Sequence, residues 1–137
     1  MCIFEQTTGN VYSDEGELLG NGYSGGNAGK NPEGINNPEY QNQHNIGPIP
    51  EGLWKMGEPY HHQHLGPFAI PLTPFPETET FGRTEFFVHG DNFKGNRSAS
   101  DGCIIQKRTV REAMYYDTPD KILKVVSELP KDYLGEA

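Results

Sequence analysis

The stretch Phe86–Ile105, "FFVHGDNFKGNRSASDGCII", joins two apolar segments through a polar, glycine-containing loop. The run Phe86–Val88 is typical of a buried strand that ends at His89, and Cys103 opens a second apolar segment. If the two strands are neighbours in one sheet, the loop between them brings His89 and Cys103 together. The stretch therefore predicts a piece of sheet and a site at its end.

A cysteine beside a histidine is the arrangement that thiol nucleophiles use. A thiol attacks only as the thiolate, and a free thiol has a pKa of about 8.5, so it needs a neighbouring base or a positive field. We predict that Cys103 is the nucleophile and His89 its base. The carbonyl of Gly90 is expected to orient the imidazole, as the third member of a triad. The alternative is a buried structural thiol, because free cysteine is among the most buried residue types.

The residues before Cys103 predict a turn that supports the reaction. Gly102 has no Cβ, so substrate can approach its backbone and the local N–H groups can turn inward. The N–H groups of Gly102 and Cys103 are predicted to stabilise a developing oxyanion. Ser100 and Asp101 are expected to fix the loop by hydrogen bonds to nearby backbone.

Three further residues are candidates for contact with substrate. Tyr23, next to Ser24, either lines the cleft or packs in the core at a strand end. Arg83 either binds a substrate carboxylate through its guanidinium fork or is a solvated strand residue. Asp91 either supports His89 or caps the loop.

The rest of the chain is mostly short strands and loops. Residues 2–23 alternate apolar segments with tight turns, and "GPIPEGLWKMG" and "GPFAIPLTP" add two strands with Trp54 in the core. Residues 24–46 contain almost no apolar side chain and form a long polar loop. Loops of this length are often functional lids, and a floppy insertion is the alternative.

The C-terminal third is predicted to be a helical tail over residues 108–130. Thr109 and Glu112 form a capping box, and Thr118 before Pro119 predicts a second helix start. An apolar stripe at helical spacing follows, comprising Ile122, Val125, Val126 and Leu129. Residues 1–137 are thus expected to be a single mainly β domain with one or two C-terminal helices.

Charge and composition exclude several partners. The net charge of -8 without a basic cluster argues against nucleic acid. No apolar run is long enough to span a membrane, and the N-terminus has no secretory signal pattern. A bridge between Cys2 and Cys103 is an alternative that a reducing compartment disfavours. No cofactor is expected.

Two other chemistries start from nearby residues. His61 and His64, three positions apart, would make a metal site if Cys103 or His89 completed it, but a solvated loop is favoured. A serine nucleophile, Ser98 or Ser100, would lack the usual strand–turn–helix elbow motif. No metal is therefore predicted.

"FFVHGD" and "SASDGCII" resemble the signature of the L,D-transpeptidase (YkuD-like) catalytic domain, in which a strand ends in His-Gly and Ser-x-Gly-Cys enters the next. "GYSG", "GPIPEG" and "GPFAIPL" extend the resemblance to the small type VI secretion effectors with an L,D-transpeptidase fold, from about Gly22 to Ile105. Two positions depart from the pattern. Asp101 replaces the family's second histidine, and Gln106 stands where an arginine often follows the cysteine.

The resemblance implies an L,D-transpeptidase-like β-sandwich or barrel that acts on peptidoglycan stem peptides by L,D-carboxypeptidase or D-amino-acid exchange. It also implies a cognate immunity protein and a type VI secretion component as partners. Such a protein is made in the cytoplasm without a signal peptide and delivered to the periplasm of target bacteria. The alternatives are a non-enzymatic binding module with Cys103 buried, and a cytosolic cysteine peptidase.

Overall fold

The protein is mainly β, as the sequence predicts. The computed structural model describes residues 1–92 and 99–130, so Ser98 lies outside the described residues. Within these residues there is one α-helix, α1 (Arg108–Tyr116). The ten strands found there are β1 (Cys2–Glu5), β2 (Asn10–Tyr12), β3 (Leu18–Asn21), β4 (Tyr23–Ser24), β5 (Gly52–Met56), β6 (Tyr60–His62), β7 (Gly66–Pro74), β8 (Phe86–His89), β9 (Ile104–Ile105) and β10 (Ile122–Val126).

One sheet carries nearly all of these strands and is almost closed into a barrel. Its order is β3-β2-β1-β10-β5-β7-β8-β9-β4, and β6 pairs with β7 beside this path. The two ends of the order, β3 and β4, are consecutive in the chain and are joined through Gly22. A Cβ on Gly22 would lie 1.8 Å from the Ile105 carbonyl oxygen, so only glycine allows the edges to come this close.

The strands β8 and β9 are neighbours, which confirms the pairing that the sequence analysis assumed, and they run parallel. Val88 pairs with Ile104 and His89 with Ile105. Because residues paired in a sheet point to the same side, this register places Cys103 beside Phe87, on the face that carries His89.

The core lies on the other face of β8 and β9. Val88 and Ile104 are fully buried there, and the rings of Trp54 and Phe86 meet edge to face with centroids 5.0 Å apart. Burial of such apolar surface contributes about 25 cal/mol per Å². His89 at the end of β8 and Cys103 directly before β9 are therefore held by strands that the core fixes from behind.

The long polar loop, residues 24–46, is a hydrogen-bonded segment with two short 3-10 helices, Pro32–Gly34 and Pro38–Tyr40. Its ends are tied together by the Gly26 N–H, which donates to the Ile46 carbonyl at 2.8 Å. An unstructured insertion is therefore the wrong description of this segment. Its function as a lid stays a prediction.

The prediction of a helical tail over residues 108–130 is half wrong. The helix α1 exists, although Lys107 is its N-cap and no side chain caps it, so the predicted capping box does not form. The predicted second helix is instead the strand β10, which pairs with β1 on one side and β5 on the other. Leu123 and Val125 are buried and Lys124 between them is exposed, which is the period of a strand.

Candidate active site

Cys103 and His89 line one cavity of about 350 Å³ at the ends of β8 and β9. Cys103 is partly exposed, whereas Cys2 is fully buried, and both are free thiols, so the alternative disulfide does not form. The partial exposure of Cys103 and its place in a cavity disfavour the structural-thiol alternative, although neighbouring atoms enclose most of the sulfur.

The imidazole of His89 is held in one orientation. Its side chain is 3% exposed, and Nδ1 lies 2.9 Å from the Gly90 carbonyl oxygen. Because a carbonyl only accepts, Nδ1 carries the proton and Nε2 keeps its lone pair. Burial lowers the pKa of His89, while the Gly90 hydrogen bond opposes this shift. The ring is therefore neutral near pH 7 and Nε2 is ready to take a proton.

The thiol of Cys103 is also neutral at rest. Burial raises its pKa to about 11, partly offset by a backbone hydrogen bond from Phe87. Its Sγ donates to the Glu85 carbonyl at 3.7 Å, and within the described residues no hydrogen bond joins Cys103 to His89. Catalytic hydrogen bonds are often long before substrate binds. Both side chains are therefore uncharged at rest, in contrast to a stored thiolate–imidazolium pair.

The turn before Cys103 is organised by a buried hydroxyl. Ser100 is fully buried, and its Oγ accepts from the N–H groups of Gly25 and Gly102, each at 2.9 Å. The same Oγ donates to the Cys103 carbonyl at 2.6 Å. Ser100 therefore fixes the loop as expected. However, the Gly102 N–H is engaged inside the turn, which disfavours its predicted role as an oxyanion donor. The oxyanion roles of the Gly102 and Cys103 N–H groups both stay predictions.

Gly102 is required for a reason other than substrate approach. Its φ of +143° lies in the region that favours glycine, and a Cβ there would stand 2.4 Å from Arg83 Nη2. The Gly102 carbonyl accepts from Ser24 Oγ at 2.9 Å. Ser24 Oγ in turn accepts from the Ile49 N–H. The turn is thus packed tightly between the guanidinium and the polar loop.

Arg83 is buried, so the solvated-strand alternative for it is wrong. Nη1 donates to the carbonyls of Gln41 and Pro48 at 2.6 and 2.8 Å. Nη2 donates to the carbonyls of Gly47 and Asp101 at 2.9 and 3.3 Å. These bonds occupy the terminal N–H groups and favour a structural role, although a carboxylate contact stays a prediction. Asp101 takes part through its backbone, and its side chain makes no hydrogen bond to a described residue.

Tyr23 and Asp91 join the two ends of the loop between β8 and β9. The Tyr23 hydroxyl donates to Asp91 Oδ1 at 2.8 Å and accepts from the Ala99 N–H at 3.0 Å. Both residues line a second cavity, of about 460 Å³, and neither lines the one that contains Cys103. A loop-holding role is what this geometry favours, and contact with substrate stays a prediction for both.

Two residues near the site, Arg111 and Glu85, were not predicted from the sequence. The guanidinium of Arg111 lies behind Gly90, where a Cβ would be 3.1 Å from Nη1, and donates to the Phe68 carbonyl at 3.1 Å. Glu85 contributes the carbonyl that accepts from the thiol. Neither contact has a local sequence signal, because each depends on strand pairing or on the position of α1.

The histidine cluster lies on a strand and turn next to the cavity. His62 is at the end of β6 and lines the cavity with Cys103, whereas His61 and His64 do not. In the part of the chain that the structure describes, no three His, Cys, Asp or Glu side chains come together as metal ligands. Over residues 1–92 and 99–130, no helix has the length and apolar character needed to cross a membrane.

The fold is an almost closed β-sheet, and the candidate site is a cavity that Cys103 and His89 share. The model of the family described as the Tlde1 domain matches residues 20–128. Because the match covers most of the chain, the protein belongs to this family of type VI secretion effectors of the L,D-transpeptidase type, which act on peptidoglycan. The resemblance to this effector family is thereby confirmed, and the broader YkuD-like resemblance stays a prediction. No curated protein and no solved structure matches the chain.

Proposed function

We propose that the protein is a cysteine-dependent L,D-carboxypeptidase or L,D-transpeptidase that acts on the tetrapeptide stems of peptidoglycan. The observation that carries the proposal is the shared cavity of Cys103 and His89, with Nε2 of the imidazole unprotonated. Membership of the effector family supplies the substrate class.

The first half of the reaction forms a thioester. Sγ of Cys103 leaves the Glu85 carbonyl and attacks the carbonyl between the L-centre of the diamino acid and the terminal D-alanine. Nε2 of His89 takes the thiol proton as the S–C bond forms, and the Cys103 N–H is the proposed donor to the oxyanion. His89 then returns the proton to the amine of D-alanine as the C–N bond breaks.

The second half transfers the acyl group from sulfur to an acceptor. Water gives the shortened stem, and a free D-amino acid gives an exchanged stem. In both cases Nε2 of His89 takes the proton of the acceptor and returns it to the leaving thiolate. Both outcomes remove the donor strands on which cross-linking depends. Delivery to the periplasm of a target cell, a cognate immunity protein and a secretion component complete the proposal.

The test is incubation of purified protein with tetrapeptide muropeptides, with and without D-methionine, followed by mass spectrometry. Loss of D-alanine, or its replacement by methionine, is expected for wild type and for Cys2→Ala but not for Cys103→Ala. Cys2 is the matched control because it is a free, fully buried thiol in the core. Unchanged muropeptides with wild type, or equal products from Cys103→Ala, would refute the proposal.

A further inference from the structure

His62 lies on Phe87 in the cavity that contains Cys103 and His89. Its ring packs edge to face against Phe87 with centroids 5.1 Å apart, and Phe87 is the residue that the strand register sets beside Cys103. His62 lines the same cavity as the thiol. It therefore stands one side chain away from the nucleophile, on the wall formed by β6.

Backbone contacts fix the proton of His62 on the nitrogen opposite to that of His89. Nδ1 of His62 accepts from the N–H groups of His64 and Leu65, at 3.0 and 3.2 Å. An accepting Nδ1 leaves the proton of a neutral imidazole on Nε2. The cavity thus contains two histidines with different abilities, since His89 accepts at Nε2 and His62 donates there.

A stem peptide brings a terminal carboxylate into a cavity that already holds two acids. Glu85 and Asp101 line it, and the terminal N–H groups of Arg83 are committed to backbone carbonyls. An incoming carboxylate therefore needs another donor. Besides Arg83, His89 and Cys103, the lining side chains that carry an N–H or O–H group are those of His44, Asn45, His62 and Thr84. Among them, His62 has its ring packed against Phe87, which the strand register sets beside Cys103.

We propose that Nε2–H of His62 donates a hydrogen bond to the terminal carboxylate of the substrate and so selects stems with a free C-terminus. The inference rests on the proposed function. The offset of His62 from Cys103 by the Phe87 ring suits a group on the leaving side of the scissile bond, beyond the reacting carbonyl.

The first test compares two substrates, a tetrapeptide stem with a free terminal carboxylate and the same stem as a terminal carboxamide. His62→Asn keeps an acceptor for the turn and loses the Nε2 donor, and His62→Gln restores a donor near that position. For the carboxylate stem, His62→Asn is expected to raise KM about 10- to 100-fold, the range of one hydrogen bond to a charged group, with kcat little changed. The carboxamide is expected to respond little, and His62→Gln to recover part of the loss.

The matched control is His61→Asn, the neighbouring and exposed histidine of the same strand, which does not line the cavity. It is expected to leave both substrates unchanged. Equal losses for the two substrates in His62→Asn, or no loss for either, would overturn the inference while the activity of wild type still supports the proposed function.

The second test needs no turnover. The imidazole nitrogens of His62 are followed by NMR in Cys103→Ala during titration with N-acetyl-L-lysyl-D-alanine and with its C-terminal amide. The Nε2 signal is expected to shift with the carboxylate peptide alone. No shift overturns the inference whatever the enzyme does. A shift in a protein that processes no stem would instead refute the proposed function and leave the carboxylate contact standing.

Discussion

His89 and Cys103, the two residues that are proposed to react, are held in place by different means. His89 ends a strand of the sheet, and the carbonyl that orients its ring belongs to the next residue. Cys103 precedes its strand, and the hydroxyl that fixes its turn, Ser100, is bound to the N–H of Gly25, which is 75 positions away. His89, the proposed base, is therefore positioned locally, whereas Cys103, the proposed nucleophile, depends on a polar segment distant in sequence.

The largest expected effect comes from removing the proposed base, His89. His89→Gln keeps a polar side chain of similar size but cannot take a proton, so kcat is expected to fall about 10²- to 10⁴-fold. Steady-state kinetics on tetrapeptide stems measure the loss, and circular dichroism checks that the sheet is intact. Near-normal turnover in a folded variant would remove His89 from the mechanism.

Ser100→Ala tests the long-range support of the nucleophile. The change leaves the N–H groups of Gly25 and Gly102 and the Cys103 carbonyl without their partner. Each buried unsatisfied group costs about 1–3 kcal/mol, so a lower unfolding midpoint is expected in denaturant. Without these hydrogen bonds the thiol of Cys103 is expected to shift. Because a displacement of about 1 Å costs up to about 10²-fold in rate, a loss of kcat of this size is expected.

The control for that variant is Ser13→Ala. Ser13 Oγ also accepts two backbone N–H groups, those of Glu15 and Glu17, but in a surface turn. A small stability change with full activity is expected. If the two serine variants lost the same activity, the special dependence of Cys103 on its turn would be wrong.

Gly102→Ala separates crowding from backbone strain at the same turn. The added Cβ would stand 2.4 Å from Arg83 Nη2 and 3.2 Å from the Phe86 ring, at a φ of +143°. A loss of about 1–3 kcal/mol from overpacking is expected, in addition to the strain of the positive φ. Gly82→Ala is the control, because its φ is +76° and no atom lies within 4 Å of the added Cβ. Thermal denaturation that gave equal losses would show that Arg83 yields easily.

The smallest expected effect is a shift of the acid limb of the pH profile. Burial lowers the pKa of His89 from 6.5, so the neutral base persists below that pH and is lost only as the pH falls through the lowered pKa. The acid limb of kcat/KM is therefore expected below pH 6.5. Burial also raises the pKa of Cys103 to about 11, so alkylation by iodoacetamide is expected to be slow at pH 7 and to accelerate in alkali. An acid limb above 6.5 would contradict a buried, neutral imidazole.

Local signals in the sequence were enough to predict the surroundings of His89, the proposed base. Three apolar residues before a histidine predicted β8, and the glycine after it predicted the orienting carbonyl. Both predictions need only the neighbours of His89, and the hydrogen bond from Nδ1 to Gly90 is present in the structure.

The surroundings of Cys103, the proposed nucleophile, could be predicted only in part. The sequence indicated that Ser100 fixes the turn, but not that its hydroxyl would engage Gly25 or occupy the Gly102 N–H. Arg83 was open to two interpretations. Three of its four carbonyl partners, Gln41, Pro48 and Gly47, lie in the polar segment or directly after it, 42, 35 and 36 positions away. Such contacts join residues tens of positions apart, for which one sequence contains no periodic signal.

The error over residues 118–130 has a different cause. Ile122, Val125 and Val126 match helical spacing, but these three residues are β-branched, which favours a strand. A short apolar run is ambiguous between the two periods. Two neighbouring strands, β1 and β5, decide the outcome by pairing with both edges of this segment.

The most direct test of the account is intact-protein mass spectrometry after rapid mixing with tetrapeptide stems. The account predicts a transient adduct equal to the stem acyl group without its terminal D-alanine, mapped to Cys103. The adduct is expected in Cys2→Ala, to form slowly in His89→Gln and to be absent from Cys103→Ala. Turnover that continues in Cys103→Ala, or an adduct on another residue, would contradict thiolate acyl transfer at this site.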